Sequence, residues 1–402
     1  MYNNFFTGFP ANHSCLLKKL NYLPLLLLWL FVQCTSAKNP RSPVHSQRTL
    51  KNVYKDAFLM GAAVTPDITS GKDDSSRSIV LRHFNSITAE NVMKAALVNP
   101  EPGVFNFGPA DDFVEFGRQH KMFVIGHTLV WHNQVPAWFF TNAAGKPNSK
   151  AEQLERLRSH IETMAGRYKG RVQAWDVVNE AIGEDGEYRK TNWISAIGNG
   201  DTLVKYAFRY AAMYAPDAEL YYNDFNAWRP AKAAGIVRMV RMLKAAGVRI
   251  DGIGMQSHWG LNYPKMEYIE AAIDSFAACG VNVMITEMDI DVLPVTKEGQ
   301  IIGQGMLDKQ FQLEEFRLFL DPYREGLPAS VQQQLTDRYA ELLGLFYRKR
   351  DKISRVTFWG VHDGMNWKND YPFANRINYP LLWDRSRKPK PALEAILRIP
   401  GN

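Results

Sequence analysis

Eight short, nearly uninterrupted apolar runs punctuate this chain, and longer stretches of helical period separate them. The runs are Phe58–Ala63, Phe84–Thr88, Met122–His127, Val172–Val178, Glu219–Tyr222, Gly252–Met255, Val281–Ile285 and Arg355–Trp359. Runs of such near-continuous apolar character suit strands buried on both faces, as parallel sheets require. In the intervening stretches Leu154, Leu157, Ile161, Met164 and Tyr168 recur every three or four residues, as do Leu335, Tyr339, Leu342 and Phe346. Each set forms one apolar face of a helix able to cover a sheet. Closed, such a sheet is a TIM barrel; open, it is doubly wound. No G-x-G-x-x-G or P-loop follows the first run, which counts against the nucleotide-binding open sheets. The expected fold is α/β, a single (β/α)8 TIM barrel over residues 50–402, with 292–353 as an enlarged, mostly helical connection before the last strand.

An apolar fraction of 46% over 402 residues is ample for such a core. The net charge is +7, but no dense Lys/Arg run occurs, so no nucleic-acid partner is expected. Lys18 and Lys19, the apolar stretch Tyr22–Val32 and the small residues ending at Ala37 read as a signal peptide over 1–37, with 38–49 a flexible tether. The apolar stretch falls short of the roughly 20 residues that span a bilayer. An exported protein with no membrane span is expected, secreted or periplasmic; a lipid anchor on Cys34 is the weaker alternative. Cleavage at Ala37 leaves Cys279 as the one remaining cysteine, too few for an internal disulfide, and it is expected to be a buried small apolar residue. The histidines His127, His132, His258 and His362 lack zinc-binding spacing, so neither metal nor cofactor is expected. A monomer is the default.

Polar residues gather at one end of these runs. After the second come Glu90, Asn91 and Lys94; after the third His127, Trp131 and His132; after the fourth Asn179 and Glu180. Asn223 and Asp224 follow the fifth, Gln256 and His258 the sixth, Glu287 and Asp289 the seventh, Trp359 and Trp367 the eighth. In a TIM barrel all those ends share the rim where active sites are built. Glycoside hydrolysis needs two carboxyl groups flanking the bond. Glu180 and Glu287 come from strands on opposite parts of the mouth and suit the task, with burial able to raise one pKa while nearby donors lower the other.

Read together, Trp175-Asp-Val-Val-Asn-Glu180, Ile285-Thr-Glu287-Met-Asp289, Glu90-Asn-Val-Met-Lys94 and His127-Thr-Leu-Val-Trp131-His132 resemble the signature stretches of glycoside hydrolase family 10 xylanases. Met255-Gln256-Ser-His258 and Thr357-Phe-Trp359-Gly fit the same pattern, and the order is kept from about Phe58 to Leu397. The resemblance implies a retaining endo-β-1,4-xylanase acting on xylan and xylo-oligosaccharides. Glu180 would be the general acid/base and Glu287 the nucleophile, with the carboxyl groups roughly 5–5.5 Å apart. His258, held by Asp289, would bond Glu287, and Asn179 would bond the sugar 2-hydroxyl, with Gln256 beside it. Glu90, Asn91, Lys94, His127 and Trp131 would line the non-reducing side. Trp359 and Trp367 would wall off the bulkier glucosyl unit.

Two positions depart from the pattern: His362, where Thr or Ser is more usual, and Phe225, where Tyr is usual. If Phe225 faces the leaving group, a hydrogen bond to the sugar is missing there. An endo-glucanase on the same barrel is the rival enzyme; a catalytically silent barrel that only binds polysaccharide is the rival from another class.

Overall fold

The computed structural model describes residues 48–294, 318–371 and 374–401. The expected signal peptide, nearly all of the tether and residues 295–317 of the long connection lie outside them.

Each apolar run forms a strand within a few residues of its expected position. In chain order these are β1 (Leu59–Val64), β2 (Ser86–Ala89), β3 (Phe123–Val130), β4 (Ala174–Asn179), β5 (Glu219–Asp224) and β6 (Gly252–Met255). A short β7 (His258–Gly260) follows, then β8 (Asn282–Asp291) and β9 (Ile353–Phe358). All pair in parallel, in the order β6-β5-β4-β3-β2-β1-β9-β8, and β6 pairs with β8 to close the ring. The closing ladder sets Gly252 against Asn282 and Met255 against Ile285. The barrel has eight strands, and β7 adds a short ladder on the upper half of β8.

A helix follows each barrel strand: α1 (Asp74–His83), α2 (Gly108–Gln119), α3 (Lys150–Arg167), α4 (Gly200–Tyr214), α5 (Pro230–Ala245), α6 (Met266–Ala277), α7 (Ala329–Arg348) and α8 (Pro391–Arg398). The two faces read from the sequence turn inward. Leu157, Ile161 and Met164 of α3 are buried, as are Leu335, Tyr339, Leu342 and Phe346 of α7. A reciprocal capping box starts α3: Ser149 Oγ accepts from the Glu152 N–H at 3.3 Å, and Glu152 accepts from the Ser149 N–H at 2.7 Å. Inside the barrel Ile125, Ala174, Tyr221 and Met284 form a separate cluster. They come from strands that are not all hydrogen-bonded neighbours, so they meet across the barrel interior.

The strands run further than the apolar runs suggested. Asn179, Asn223, Asp224, Glu287 and Asp289 lie within strands, because the backbone ladder continues up to the rim after the apolar side chains have stopped. Register shifts fall between His127 and Val130, between Asp176 and Val178, and between Ile285 and Met288. Such irregularities turn a side chain away from the strict alternation of a pleat. These three fall beside His127, Asn179 and Glu287, and another, between Val283 and Met284, lies lower on β8.

One smaller expectation is corrected. Cys279 is half-buried, not buried, since it sits past the end of α6 with its thiol 3.5 Å from the Ser275 carbonyl. His362 is a local cap: its Nδ1 accepts from the Gly364 N–H at 3.1 Å.

Packing between β3 and β4 leaves no room at Gly126, which pairs with Trp175; a Cβ added there would lie 2.3 Å from the indole ring. Gly126→Ala is expected to lower the unfolding free energy by about 1–3 kcal/mol through overpacking. Urea denaturation monitored by tryptophan fluorescence checks this, and an unchanged midpoint contradicts it.

Candidate active site

Glu180 follows β4 directly and has a φ of +59°. A non-glycine residue in this left-handed region costs on the order of 1–3 kcal/mol and persists only where its surroundings enforce it. Its N–H donates to the Asn223 carbonyl of β5 at 2.9 Å. The carboxylate accepts from Trp131 Nε1 and from Gln256 Nε2, each at 2.9 Å, and lies 3.3 Å from the Asn179 carboxamide. Burial pushes the carboxyl up, but the Gln256 hydrogen bond, the His132 charge and the Trp131 donor together hold it below the usual carboxylate range. Glu180 is therefore not a carboxyl raised by burial in the open cleft; its donors outweigh desolvation.

Glu287 sits on β8 at the register shift. One oxygen accepts from Asn223 Nδ2 at 2.7 Å; the other lies 3.1 Å from His258 Nε2. Thr286 Oγ1 donates to Asn223 Oδ1 at 2.5 Å, which turns the amide nitrogen toward Glu287. Asp289, two residues on, brackets the imidazole from behind, 3.0 Å from Nδ1. Burial pushes His258 down, yet the two carboxylates raise it to about 9. It is an imidazolium at neutral pH. Asp289, fully buried, is held well below the usual range against its own desolvation by His258 and by Lys368 at 3.1 Å. Asn366 and Trp367 also donate to Asp289, at 3.2 and 3.0 Å.

The two glutamates face one cleft of about 630 Å³. Asn223 contacts both Glu287 and Asn179, while Gln256 contacts both Asn179 and Glu180, so a continuous amide network joins the carboxylates. Every residue expected to meet the sugar lines this cleft: Glu90, Asn91, Lys94, His127, Trp131, Gln256, Phe225, Trp359 and Trp367. Asp289 lies beneath it. Lys94 donates to Asn91 at 2.9 Å and sits 4.9 Å above the Trp131 ring. Burial raises the Glu90 carboxyl, and its second oxygen is buried without a hydrogen-bond partner. His127 is oriented by Asp176 at 2.8 Å and meets Trp359 edge-on. The Phe225 ring is covered by Lys232 at 3.9 Å and Arg189 at 4.8 Å.

Sequence reasoning missed Asn133, Gln134 and Arg189, which also line the cleft. Asn133 and Gln134 follow His132 on the loop after β3, and Arg189 sits on a loop well past the end of β4. Asn223 carried the strand-end signal, but its contact with Glu287 depends on side-chain geometry. His132, for which the sequence favours a structural role over substrate binding, lines the cleft beside Glu180. Among the described residues no group of three or more His, Cys, Asp or Glu is disposed to hold a metal ion, and no helix is long and apolar enough to cross a membrane.

A closed (β/α)8 barrel with two acidic side chains across a rim cleft defines a barrel glycoside hydrolase. Residues 49–399 match the family model for glycosyl hydrolase family 10. An Endo-1,4-beta-xylanase A from Xylanibacter ruminicola is 40% identical over 354 residues, covering 88% of this chain and 94% of the relative. An Endo-1,4-beta-xylanase from Geobacillus stearothermophilus is 38% identical, covering 87% and 98%. A solved GH10 endoxylanase retrieved from a sugarcane soil metagenome superposes with a TM-score of 0.80 at 41% identity, covering 88% of this chain and all of that one. The chain belongs to glycosyl hydrolase family 10.

The buried imidazolium has a consequence for stability. Its folded-state pKa, about 9, exceeds its ordinary 6.5. The stability it contributes is therefore full below pH 6.5 and is lost as pH rises through about 9. The melting temperature of the wild type minus that of His258→Gln is expected to shrink across that window; a constant difference would contradict the assignment.

Proposed function

We propose that this chain is an endo-β-1,4-xylanase that hydrolyses xylan with retention of anomeric configuration, by double displacement on Glu180 and Glu287. One observation carries the reading. Two buried carboxylates from β4 and β8 face one cleft, and each has its own set of donors.

Glu287 is the nucleophile. A carboxylate that accepts from Asn223 and lies against the His258 imidazolium is fixed in direction, ready to attack the anomeric carbon. Asp289 keeps His258 charged, and Lys368 balances Asp289. Glu180 protonates the departing oxygen in the first step and takes a proton from water in the second. Its low pKa in the open cleft suits the second step. In the first, a bound chain excludes water, and that desolvation favours protonated Glu180. Asn179 bonds the sugar 2-hydroxyl, a contact that strengthens as positive charge develops on the ring, with Gln256 fixing its carboxamide.

Glu90, Asn91, Lys94, His127 and Trp131 bind the non-reducing side. Trp359 and Trp367 leave space for xylose and none for the exocyclic CH2OH of glucose. Phe225 offers no hydroxyl to the leaving-group side. The names of the relatives support xylan as substrate. The barrel of residues 50–402 acts as a monomer without a cofactor. Residues 1–37 export it and 38–49 serve as a tether.

Glu287→Gln is expected to abolish hydrolysis, by about 10³-fold or more, while xylo-oligosaccharide binding measured by calorimetry stays near that of the wild type; a near-normal rate would place the nucleophile elsewhere. In proton NMR of xylan digestion the first product anomer is expected to be β, with carboxymethylcellulose turned over more slowly. An initial α product would sink retention, and faster cellulose cleavage the specificity.

A further inference from the structure

Behind Glu180 lies a buried polar group to which the mechanism above gives no part. The Tyr222 hydroxyl of β5 lies under the two peptide N–H groups that follow Glu180. Ala181 N–H donates to it at 3.1 Å and Ile182 N–H at 2.9 Å. A phenol oxygen has one proton and can accept through its lone pairs. With two donors already on the oxygen, the proton is left for Asp224, which accepts it through Oδ2. The other Asp224 oxygen is 2.8 Å from Lys232 Nζ, which also lies 3.2 Å from Glu184. Tyr222, Asp224 and Lys232 are each wholly buried.

The charges keep that orientation one-way. Burial pushes the Tyr222 phenol well up, so it stays a neutral donor. Burial also raises Asp224 to about 6, and Lys232 is the main group opposing that rise. A buried carboxylate without its ammonium would be strongly disfavoured.

The location matters because the chain must leave an extended strand, pass through a left-handed residue and resume within two peptides. Glu180 is that residue, and the two N–H groups bound by Tyr222 are the next two. The Asn223 carbonyl fixes the entry to the bend and the Tyr222 hydroxyl fixes its exit. We infer that Tyr222, oriented by Asp224 and Lys232, is a positioning residue for the acid/base: its hydroxyl clamps the peptides after Glu180 so that the carboxyl faces the glycosidic oxygen. This rests on the reading of Glu180 as acid/base.

The test compares kcat/KM on two substrates, since that ratio reports the glycosylation step. Xylotetraose needs a proton on its leaving group; 2,4-dinitrophenyl β-xylobioside releases a phenolate that departs without one. Tyr222→Phe is expected to lose about tenfold or more on xylotetraose and less than about threefold on the dinitrophenyl substrate. Lys232→Met should give the same split, and it carries the test if Tyr222→Phe does not fold. Glu180→Gln is the control. Equal losses on both substrates in the Tyr222 and Lys232 variants, with a split in Glu180→Gln, would overturn the positioning role and leave the acid/base in place. No split in Glu180→Gln would instead overturn the assignment of Glu180 itself.

Discussion

A parallel barrel buries its strands twice over, on the interior side and beneath the helices, and this constraint organises the molecule. Side chains along β1, β2, β4 and β8 are buried almost without exception. A charged group along such a strand must find its partners inside the protein, and the cost of lacking them is severe. Polar residues therefore collect at the ends, where the loops provide partners and an opening to water. Glu180, Glu287 and the residues around them meet because the fold has few other places to put them.

Gathering acids at the rim creates a second requirement, since several of them are nearly dry. Asp289, Asp224 and Asp363 are wholly buried, and each has a buried lysine: Lys368, Lys232 and Lys390 respectively. His258 joins this scheme between Glu287 and Asp289. Removing one member of such a pair costs more than the pair itself contributes, because an uncompensated charge remains. The charges are thus better understood as fixing geometry than as adding stability.

Local backbone irregularity supplies the final adjustment. The shift between Ile285 and Met288 lies at Glu287, and the left-handed residue after β4 is Glu180 itself. Regular strands alternate their side chains strictly, which limits where a carboxylate can point. Departures at these two positions free both glutamates from that alternation. Neighbouring strands enforce the departures, through the Asn223 carbonyl for one and the ladders on either side of β8 for the other.

The sequence by itself determined the number of strands, the alternation with helices and the rim that carries the chemistry, since burial on both faces leaves an uninterrupted apolar run that can be read directly. It also marked Glu180, Glu287, His258, Asp289 and the tryptophans, because polar residues after such runs are conspicuous. It could not show that Gln256 and Asn223 join the two glutamates, that Arg189 reaches the cleft from a loop, or that Lys368 and Lys232 are buried ion-pair partners. Those facts depend on which strands stand side by side after closure and on which way each amide turns. Nor could burial alone set the pKa of Glu180. Desolvation is legible as apolar neighbours in sequence, whereas the donors from Trp131 and Gln256 that outweigh it arrive from positions 49 and 76 residues away. Tertiary structure decided that balance, because hydrogen bonds act over three ångströms of space and not along the chain.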